Sequence, residues 1–159
     1  MKKYFTKKCI FQIVFGVLII IQFFRIDKTI KPINTKTDYI SVAQTNPEIS
    51  TILKNACYDC HSNQPTYPWY TNIAPVSWWI KNHVNEGSHH LSFSEWETYT
   101  FKRKDHKLEE CIEMIEEGEM PMNSYTWMHG EAKLTNAQRT LLIDWFKADR
   151  TKLNYSTTN

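Results

Sequence analysis

The sequence predicts an all-α fold, in which a small helical domain surrounds one large apolar ligand and an N-terminal membrane helix precedes it. Apolar residues recur at spacings of three and four after helix-capping residues, and no segment alternates with period two. The chain has six Trp but only four Gly in 159 residues. This composition is typical of helices wrapped around a large apolar ligand rather than of a loop-rich sheet protein.

The N-terminal segment has the pattern of an export signal. Four lysines lie in residues 1–8, and residues 9–24 form a run of sixteen residues without a charge. A positively charged start before an apolar run places the N-terminus in the cytoplasm and the following chain outside it. No small-x-small cleavage site follows, which favours a retained signal anchor over a cleaved signal peptide. We therefore expect residues 9–24 to contact the cell membrane and the rest of the chain to lie on its periplasmic side.

The charge distribution argues against nucleic-acid binding. The chain carries 19 Lys or Arg and 17 Asp or Glu, and residues 1–26 hold five of the basic residues and no acidic residue. The remainder therefore has 14 basic against 17 acidic residues, a net charge of −3. A nucleic-acid surface requires a basic folded part, so we expect no nucleic-acid partner.

The first helix after the N-terminal segment leads into the most specific motif of the chain. Asn46 is suited to the N-cap and Pro47 to the first helical position. The apolar stripe that follows has helical spacing and consists of Ile49, Ile52, Leu53 and Ala56. The motif at residues 57–61 is therefore expected at the end of an amphipathic helix.

This motif is the pentapeptide Cys-Tyr-Asp-Cys-His at residues 57–61. In a C-x-x-C-H motif, two thiols on one helical turn can add to the two vinyl groups of a haem, and the histidine can bind the iron. A zinc site would need more thiolates or imidazoles, and Cys111 is the one other cysteine outside the apolar run. A thioredoxin-like dithiol would need a βαβ pattern. The motif thus predicts one covalent haem c, attached to Cys57 and Cys60, with His61 as the proximal iron ligand.

Capping signals predict the later helices. Pro75 opens a helix over Val76–Glu86 that ends at Gly87. A capping box at residues 94–97 starts the next helix, which the basic run 102–104 ends. A further helix extends from Asp105 to Gly118, and a capping box at Thr135 and Gln138 starts the last helix. The apolar face of that last helix consists of Leu141, Leu142, Trp145 and Phe146.

The sixth position of the iron has several candidates in the sequence. They are Met120, Met122, Met128, His83 and His129, or no residue at all. Met120 is favoured, because it follows a helix that ends in glycine, and the proline after it stiffens a loop that can present the thioether. His83 is the alternative, which would make a bis-histidine haem of lower potential. The aromatic residues expected to pack against the haem are Trp69, Tyr70, Trp78 and Trp79.

Two parts of the sequence resemble known families. Residues 118–121, Gly-Glu-Met-Pro, followed by a closing helix with Trp145-Phe146, are similar to the distal half of small class I c-type cytochromes, in which this methionine binds the iron. A longer match over residues 45–148 resembles the bacterial haem-binding domain family of exported, cytochrome-like C-x-x-C-H proteins. The segments that carry it are Cys57–Asn63, Tyr67–Tyr70, Ile73–Trp79, His83-Val84, Glu86-Gly87, Phe93–Trp96 and Glu119–Pro121. One departure is Ser92, where the family often has Asn. The resemblance implies a small cytochrome c-like helical domain with covalent haem and says nothing of its partners.

These interpretations divide the chain into four parts. Residues 1–26 are a signal anchor or transmembrane helix, 27–44 a polar linker, 45–150 the c-type haem-binding domain and 151–159 a tail. The combination predicts a membrane-tethered, exported protein that carries single electrons to an unidentified redox partner protein.

An electron carrier is favoured over an enzyme. A haem bound by His61 and Met120 leaves no position for a substrate and suits one-electron transfer. A haem peroxidase or a gas or redox sensor, with an open or displaceable distal site, is the alternative. A structural or assembly module that uses haem only to form its core is a third hypothesis, and no catalytic constellation stands out in the sequence.

Overall fold

A computed structural model describes the backbone of residues 6–156 and the side chains of residues 6–153. Within this part of the chain the regular structure is entirely helical, so the predicted all-α class is confirmed. The eight α-helices are α1 (Lys7–Ile20), α2 (Tyr39–Val42), α3 (Pro47–Ala56), α4 (Tyr58–His61), α5 (Val76–His90), α6 (Phe101–Glu116), α7 (Asn123–Thr126) and α8 (Asn136–Ser156). Short 3₁₀ helices are formed by Ile21–Phe23, Trp69–Asn72, Phe93–Thr98 and Gly130–Ala132.

The N-terminal apolar segment forms a shorter helix than the sequence predicts. Helix α1 has 14 residues, the first two of which are Lys7 and Lys8, and it passes into a 3₁₀ helix at Ile21. At 1.5 Å per residue it extends about 21 Å, against a hydrocarbon core of about 30 Å. Among residues 6–156, no helix combines the length and the apolar character needed to cross a membrane. The prediction of an N-terminal membrane helix is therefore wrong. Lys2 and Lys3 of the predicted signal lie outside the described residues.

The segment after α1 is attached to the helical domain by specific hydrogen bonds. The Gln22 amide donates to the carbonyl of Ala74 and accepts from the Ala74 N–H, both at 3.0 Å. The indole N–H of Trp78 donates to the carbonyl of Phe24 at 2.9 Å. These hydrogen bonds hold the segment at the C-terminal end of α1 against the N-terminal end of α5.

Helix α3 begins where its capping residues predict. The Asn46 side chain accepts a hydrogen bond from the Ile49 N–H at 2.9 Å, and Pro47 occupies the first turn. The predicted stripe is buried and consists of Ile49, Ile52, Leu53 and Ala56. Helix α4 follows after Cys57 alone, so the core contacts of α3 position the Cys-x-x-Cys-His motif.

Helix α5 is longer than its sequence signals indicate. Gly87 was expected to end it, yet the helix continues to His90. Gly87 lies inside the helix, where a Cβ would come within 2.8 Å of the Cys60 carbonyl oxygen. Its role is therefore a close approach between α5 and α4 rather than a helix end.

Helix α6 replaces two predicted helices. Residues 94–97 form part of a 3₁₀ helix instead of a capping box, and the basic run 102–104 lies in the first turn of α6. The true N-cap is Thr100, whose side chain accepts a hydrogen bond from the Arg103 N–H at 3.4 Å. Threonine is a favoured N-cap residue, so α6 begins after Thr100 and includes the basic run.

The core is formed where α3, α6 and α8 pack together. The predicted capping box of α8 is present: the Gln138 N–H donates to Thr135 Oγ1 at 3.2 Å, and the Thr135 N–H donates to Gln138 Oε1 at 2.9 Å. Leu142 and Phe146 of α8 are fully buried, whereas Leu141 and Trp145 are half-buried. Other large, fully buried side chains are Tyr39, Phe93, Ile49, Leu53 and Leu108.

Candidate functional site

The two cysteines of the motif are free thiols on the inner side of the domain. Cys57 and Cys60 are half-buried and form no disulfide. Burial raises the pKa of Cys57 to about 12 and that of Cys60 to about 11. Reactive redox dithiols instead have a lowered thiol pKa, because the thiolate is the nucleophile. The environment therefore does not favour dithiol redox chemistry.

His61 is held with one ring nitrogen free. Its Nδ1 lies 2.9 Å from the Gly87 carbonyl oxygen and 3.2 Å from that of Leu91. Because carbonyl oxygens only accept, Nδ1 carries the proton and donates, which leaves a lone pair on Nε2. Burial lowers the pKa of His61, which favours the neutral imidazole. A fixed, neutral imidazole with a free Nε2 is the form that binds a metal.

The close approach of α5 to α4 depends on Gly87. A Cβ built at this residue would lie 2.8 Å from the carbonyl oxygen and 3.1 Å from the Cβ of Cys60. Both contacts are shorter than the 3.5 to 4.0 Å or so of ordinary carbon contacts. The absence of a side chain at Gly87 thus lets its own carbonyl reach His61.

A mostly apolar cavity of about 240 Å³ opens beside α4. Asp59 and Cys60 contribute to its wall from the motif, and further walls come from the loop and 3₁₀ helix at residues 66–71, from α5 and from residues 122–129. Val76, Ile80 and Val84 give α5 an apolar face toward the cavity. An apolar ligand bound in this cavity would lie next to the second thiol of the motif.

The donor atoms at this site fit a covalently held haem. Two free thiols stand one turn apart, the next imidazole keeps a lone pair on Nε2, and an apolar cavity adjoins the second thiol, Cys60. A tetrahedral zinc site would need four ligands. Among the residues that the structure describes, no group of three or more His, Cys, Asp or Glu side chains is arranged to hold a metal ion.

Comparison with protein-family models identifies the family of the chain. A model described as "Haem-binding domain" matches residues 16–148, which is most of the chain. The chain belongs to the haem-binding domain family. Its cofactor is therefore haem, as the sequence predicts. A search of curated proteins and a search of solved structures gave no significant match.

The four aromatic residues expected around the haem lie in different places. Tyr70 and Trp79 line the cavity of the haem-binding domain. Trp69 is 71% exposed, and Trp78 lies near Phe24, to which its indole donates. The structure therefore brings two of the four to the cavity, and their packing against haem stays a prediction.

The structure separates the candidates for the sixth iron ligand. His83 lies on the cavity wall, with Nδ1 2.9 Å from the Trp79 carbonyl oxygen and its ring 4.3 Å from the Trp79 ring. Met120 is half-buried and its N–H donates to the Met114 carbonyl at 3.1 Å, but it does not line the cavity. Met122, two residues later, lines the cavity. The choice of Met120 over His83 stays a prediction.

The cavity wall also holds a polar cluster that sequence reasoning missed. Tyr125 donates to Oδ2 of Asp59 at 2.7 Å, and its ring is stacked on His129 at 4.2 Å. The Tyr70 hydroxyl lies 2.6 Å from Nε2 of His129. Tyr125 and His129 are four residues apart, a spacing that puts side chains on one side of a helical turn. That spacing was the available signal, but it does not reveal the partners from distant segments.

Proposed function

We propose that this protein carries one covalent haem c and transfers single electrons, as a cytochrome c-like member of the haem-binding domain family. The observation that carries the proposal is the geometry of His61. Nδ1 is tied to two backbone carbonyls, so Nε2 is free to bind iron, while Cys57 and Cys60 supply two free thiols. When bound, haem would supply a one-electron iron couple that protein side chains do not provide.

The residues around the site have separate roles in this proposal. Cys57 and Cys60 would hold the cofactor as thioethers, and His61 would bind the iron on the proximal side. Two carbonyls fix the imidazole ring, and such outer partners also make a histidine ligand more basic. The apolar residues of α5 would keep water from the haem face, which sets its potential.

The sixth ligand in this proposal is Met120, with His83 as the alternative. A thioether ligand favours the ferrous state and raises the potential. Replacing Met120 with alanine should then lower the potential and remove the iron–thioether absorption band. Met122→Ala is the matched control, because it removes a neighbouring thioether that does line the cavity. A loss of the band only in Met122→Ala would assign the ligand to Met122 instead.

A haem peroxidase or a gas or redox sensor is the second candidate. The observation that favours it is the presence of polar groups on the cavity wall, including the hydrogen-bonded pair Tyr70 and His129. A peroxidase needs a distal base and a means to polarise the peroxide bond. Such chemistry also requires an open or displaceable sixth position on the iron.

One measurement separates the two functions. The purified haem protein would be reduced and exposed to carbon monoxide while its optical spectrum is recorded. A spectrum unchanged by carbon monoxide means a saturated iron and supports the electron carrier. Ready binding of carbon monoxide means an open site and refutes the carrier with a fixed sixth ligand.

Covalent attachment has its own test. The double variant Cys57→Ala, Cys60→Ala should release its haem into acidic acetone, whereas the wild type should retain it. Cys111→Ala is the control, since it removes the remaining described cysteine of the domain and leaves the motif intact. Haem that resists extraction in the double variant would refute attachment through these thiols.

We also propose that the haem domain lies on the periplasmic side of the cell membrane, with residues 9–24 in contact with the membrane. The lysines of residues 1–8 precede an apolar segment, as in exported proteins. Large apolar side chains of this segment are exposed, among them Phe11 at 71% and Phe23 at 80%. Alkaline phosphatase fused after residue 159 should be active, and inactive fusions would refute export. The electrons would pass to and from a redox partner protein.

A further inference from the structure

A second cavity, of about 360 Å³, lies between the segment that follows α1 and the 3₁₀ helix at Trp69–Asn72. One wall comes from residues 22–28, and the other comes from residues 71–77. Thr71 is the one residue of this lining that also lines the cavity beside α4, within the described part of the chain. The second cavity is therefore a site separate from the proposed haem site.

Two cations of this cavity are held by neutral oxygen atoms. Nη1 of Arg25 donates to the carbonyl of Asn72 at 3.1 Å. Nζ of Lys28 donates to Oγ1 of Thr71 and to Oδ1 of Asn72, both at 2.8 Å. Neutral acceptors orient a cation without cancelling its charge. A guanidinium has five N–H donors and an ammonium three, so both groups keep N–H groups for an anion.

The positive charge of this cavity is not neutralised by a carboxylate. No Asp or Glu among the residues that the structure describes lines the cavity, and neither Arg25 nor Lys28 forms an ion pair there. Asp27 lies between them in sequence, but its Oδ1 accepts from the N–H and the hydroxyl of Thr29 at 2.9 and 2.6 Å. Two fixed cations in a recess attract an anion.

The surroundings of the cavity favour an anion that carries apolar chains. Phe24 lines the cavity and is exposed, and Phe23, Ile73 and Trp78 beside it are exposed too. Tryptophan is enriched where proteins meet the membrane surface, and binding there increases with both apolar contact and attraction to anionic lipids. A free phosphate ion would gain nothing from these side chains, whereas a phospholipid joins a phosphate to apolar chains.

We propose that this cavity binds the phosphate of an anionic phospholipid through Arg25 and Lys28. The inference rests on the membrane contact proposed for residues 9–24 and does not involve the haem iron. A choline headgroup would bring a further cation close to the two that line the cavity, so an anionic headgroup is the better ligand. Because Gln22 and Phe24 are hydrogen-bonded to Ala74 and Trp78, a lipid bound here would hold the haem-binding domain close to the membrane surface.

The test is the partition of the full haem protein into sucrose-loaded vesicles, measured by haem absorbance in the pellet. Vesicles of phosphatidylcholine are compared with vesicles that also contain phosphatidylglycerol, into which the wild type should partition more strongly. The double variant Arg25→Gln, Lys28→Gln should lose about fivefold for each cation, or about 25-fold, in partition into the phosphatidylglycerol vesicles. Its partition into phosphatidylcholine should stay the same.

A matched control has the same change in net charge outside the cavity. Lys36 and Lys133 are exposed and do not line it, so Lys36→Gln, Lys133→Gln should keep the wild-type preference. If the double variant of the cavity loses its haem spectrum, the single variants Arg25→Gln and Lys28→Gln replace it, with a loss of about fivefold each.

Several outcomes would overturn the lipid site. An equal loss in the control would show that net charge alone acts, and equal partition of the wild type into both kinds of vesicle would refute the site while leaving the membrane contact intact. Displacement by sodium phosphate, but not by sodium chloride of equal ionic strength, would assign the cavity to free phosphate. A wild type that binds neither kind of vesicle would refute the proposed membrane contact itself.

Discussion

Replacing Gly87 with alanine should push α5 away from α4 and loosen His61. The added Cβ would lie 2.8 Å from the Cys60 carbonyl oxygen and 3.1 Å from the Cys60 Cβ. Neither contact involves the end of a flexible side chain, so the helices must separate. The hydrogen bonds of His61 Nδ1 to Gly87 and Leu91, now 2.9 and 3.2 Å, lengthen as α5 moves. A single methyl group therefore affects both the helix packing and the hydrogen bonds of His61.

The balance of free energies favours destabilisation. Alanine gains about 1 kcal/mol over glycine in a helix interior. Overpacking of a close contact costs about 1 to 3 kcal/mol, and weakening the His61 hydrogen bond costs about 1 kcal/mol. We expect a net loss of about 1 to 3 kcal/mol in the free energy of unfolding, which is of the order of 5 °C or more in melting temperature for a domain of this size.

Thermal unfolding of the haem protein measures this effect. Gly130→Ala is the matched control, because Gly130 also lies in a helical turn of the domain and a Cβ there would meet no atom within 4 Å. The control should melt close to the wild type, whereas Gly87→Ala should melt lower and show an altered haem spectrum. If Gly87→Ala were as stable as the wild type or more stable, helix propensity would dominate and the close-approach argument would be refuted.

Three further predictions concern the rest of the domain. Asn46→Ala should lower the free energy of unfolding by about 1 kcal/mol by removing the α3 cap, and Asn46→Ser should restore it; equal stability of the alanine variant would contradict the cap. Burial raises the pKa of Asp149. The protonated carboxyl of Asp149 therefore adds most to the free energy of unfolding below about pH 3.9, the ordinary pKa of Asp, and this stabilisation is lost as pH rises through the raised pKa of the folded state. The stability of Asp149→Asn relative to the wild type should therefore improve with rising pH in denaturant titrations, and a constant difference would refute the shift. Tyr125→Phe should cost about 1 kcal/mol of unfolding free energy by removing its bond to Asp59, and an unchanged denaturation midpoint would show that the bond contributes nothing.

Local signals predicted most of the helices, because caps and stripes act within a few residues. Asn46 caps α3 and the Thr135–Gln138 box starts α8, as their sequences indicate. The sequence mispredicts the end of α5, since glycine occurs not only after a helix end but also where another segment approaches closely. At Gly87 that neighbour is Cys60, 27 residues earlier in the chain. The length of α1 was also mispredicted, because the apolar run does not show that helical geometry changes at Ile21.

The candidate site likewise has one part that is visible in the sequence and another part that depends on contacts between distant segments. Two thiols and an imidazole follow one another in residues 57–61, so the sequence alone brings these groups together, and their role in holding haem stays a prediction. The cavity beside the motif could not be predicted, since its other walls come from segments near residues 70, 80 and 125 that only the fold brings together. His129 was one of several histidines in the sequence; its partners Tyr70 and Glu131 distinguish it.

Haem attachment and the choice of function can be tested with variants in different parts of the chain. In the proposed function, attachment depends on residues 57–61 and on the carbonyls of Gly87 and Leu91, which hold His61. The choice between an electron carrier and an enzyme depends instead on the sixth ligand, for which the candidates lie in α5 and in residues 120–131. Variants of residues 120–131 can therefore change iron ligation and potential while leaving the two thiols and His61 in place. A change in carbon monoxide binding in such variants would consequently report on the sixth ligand rather than on loss of the cofactor.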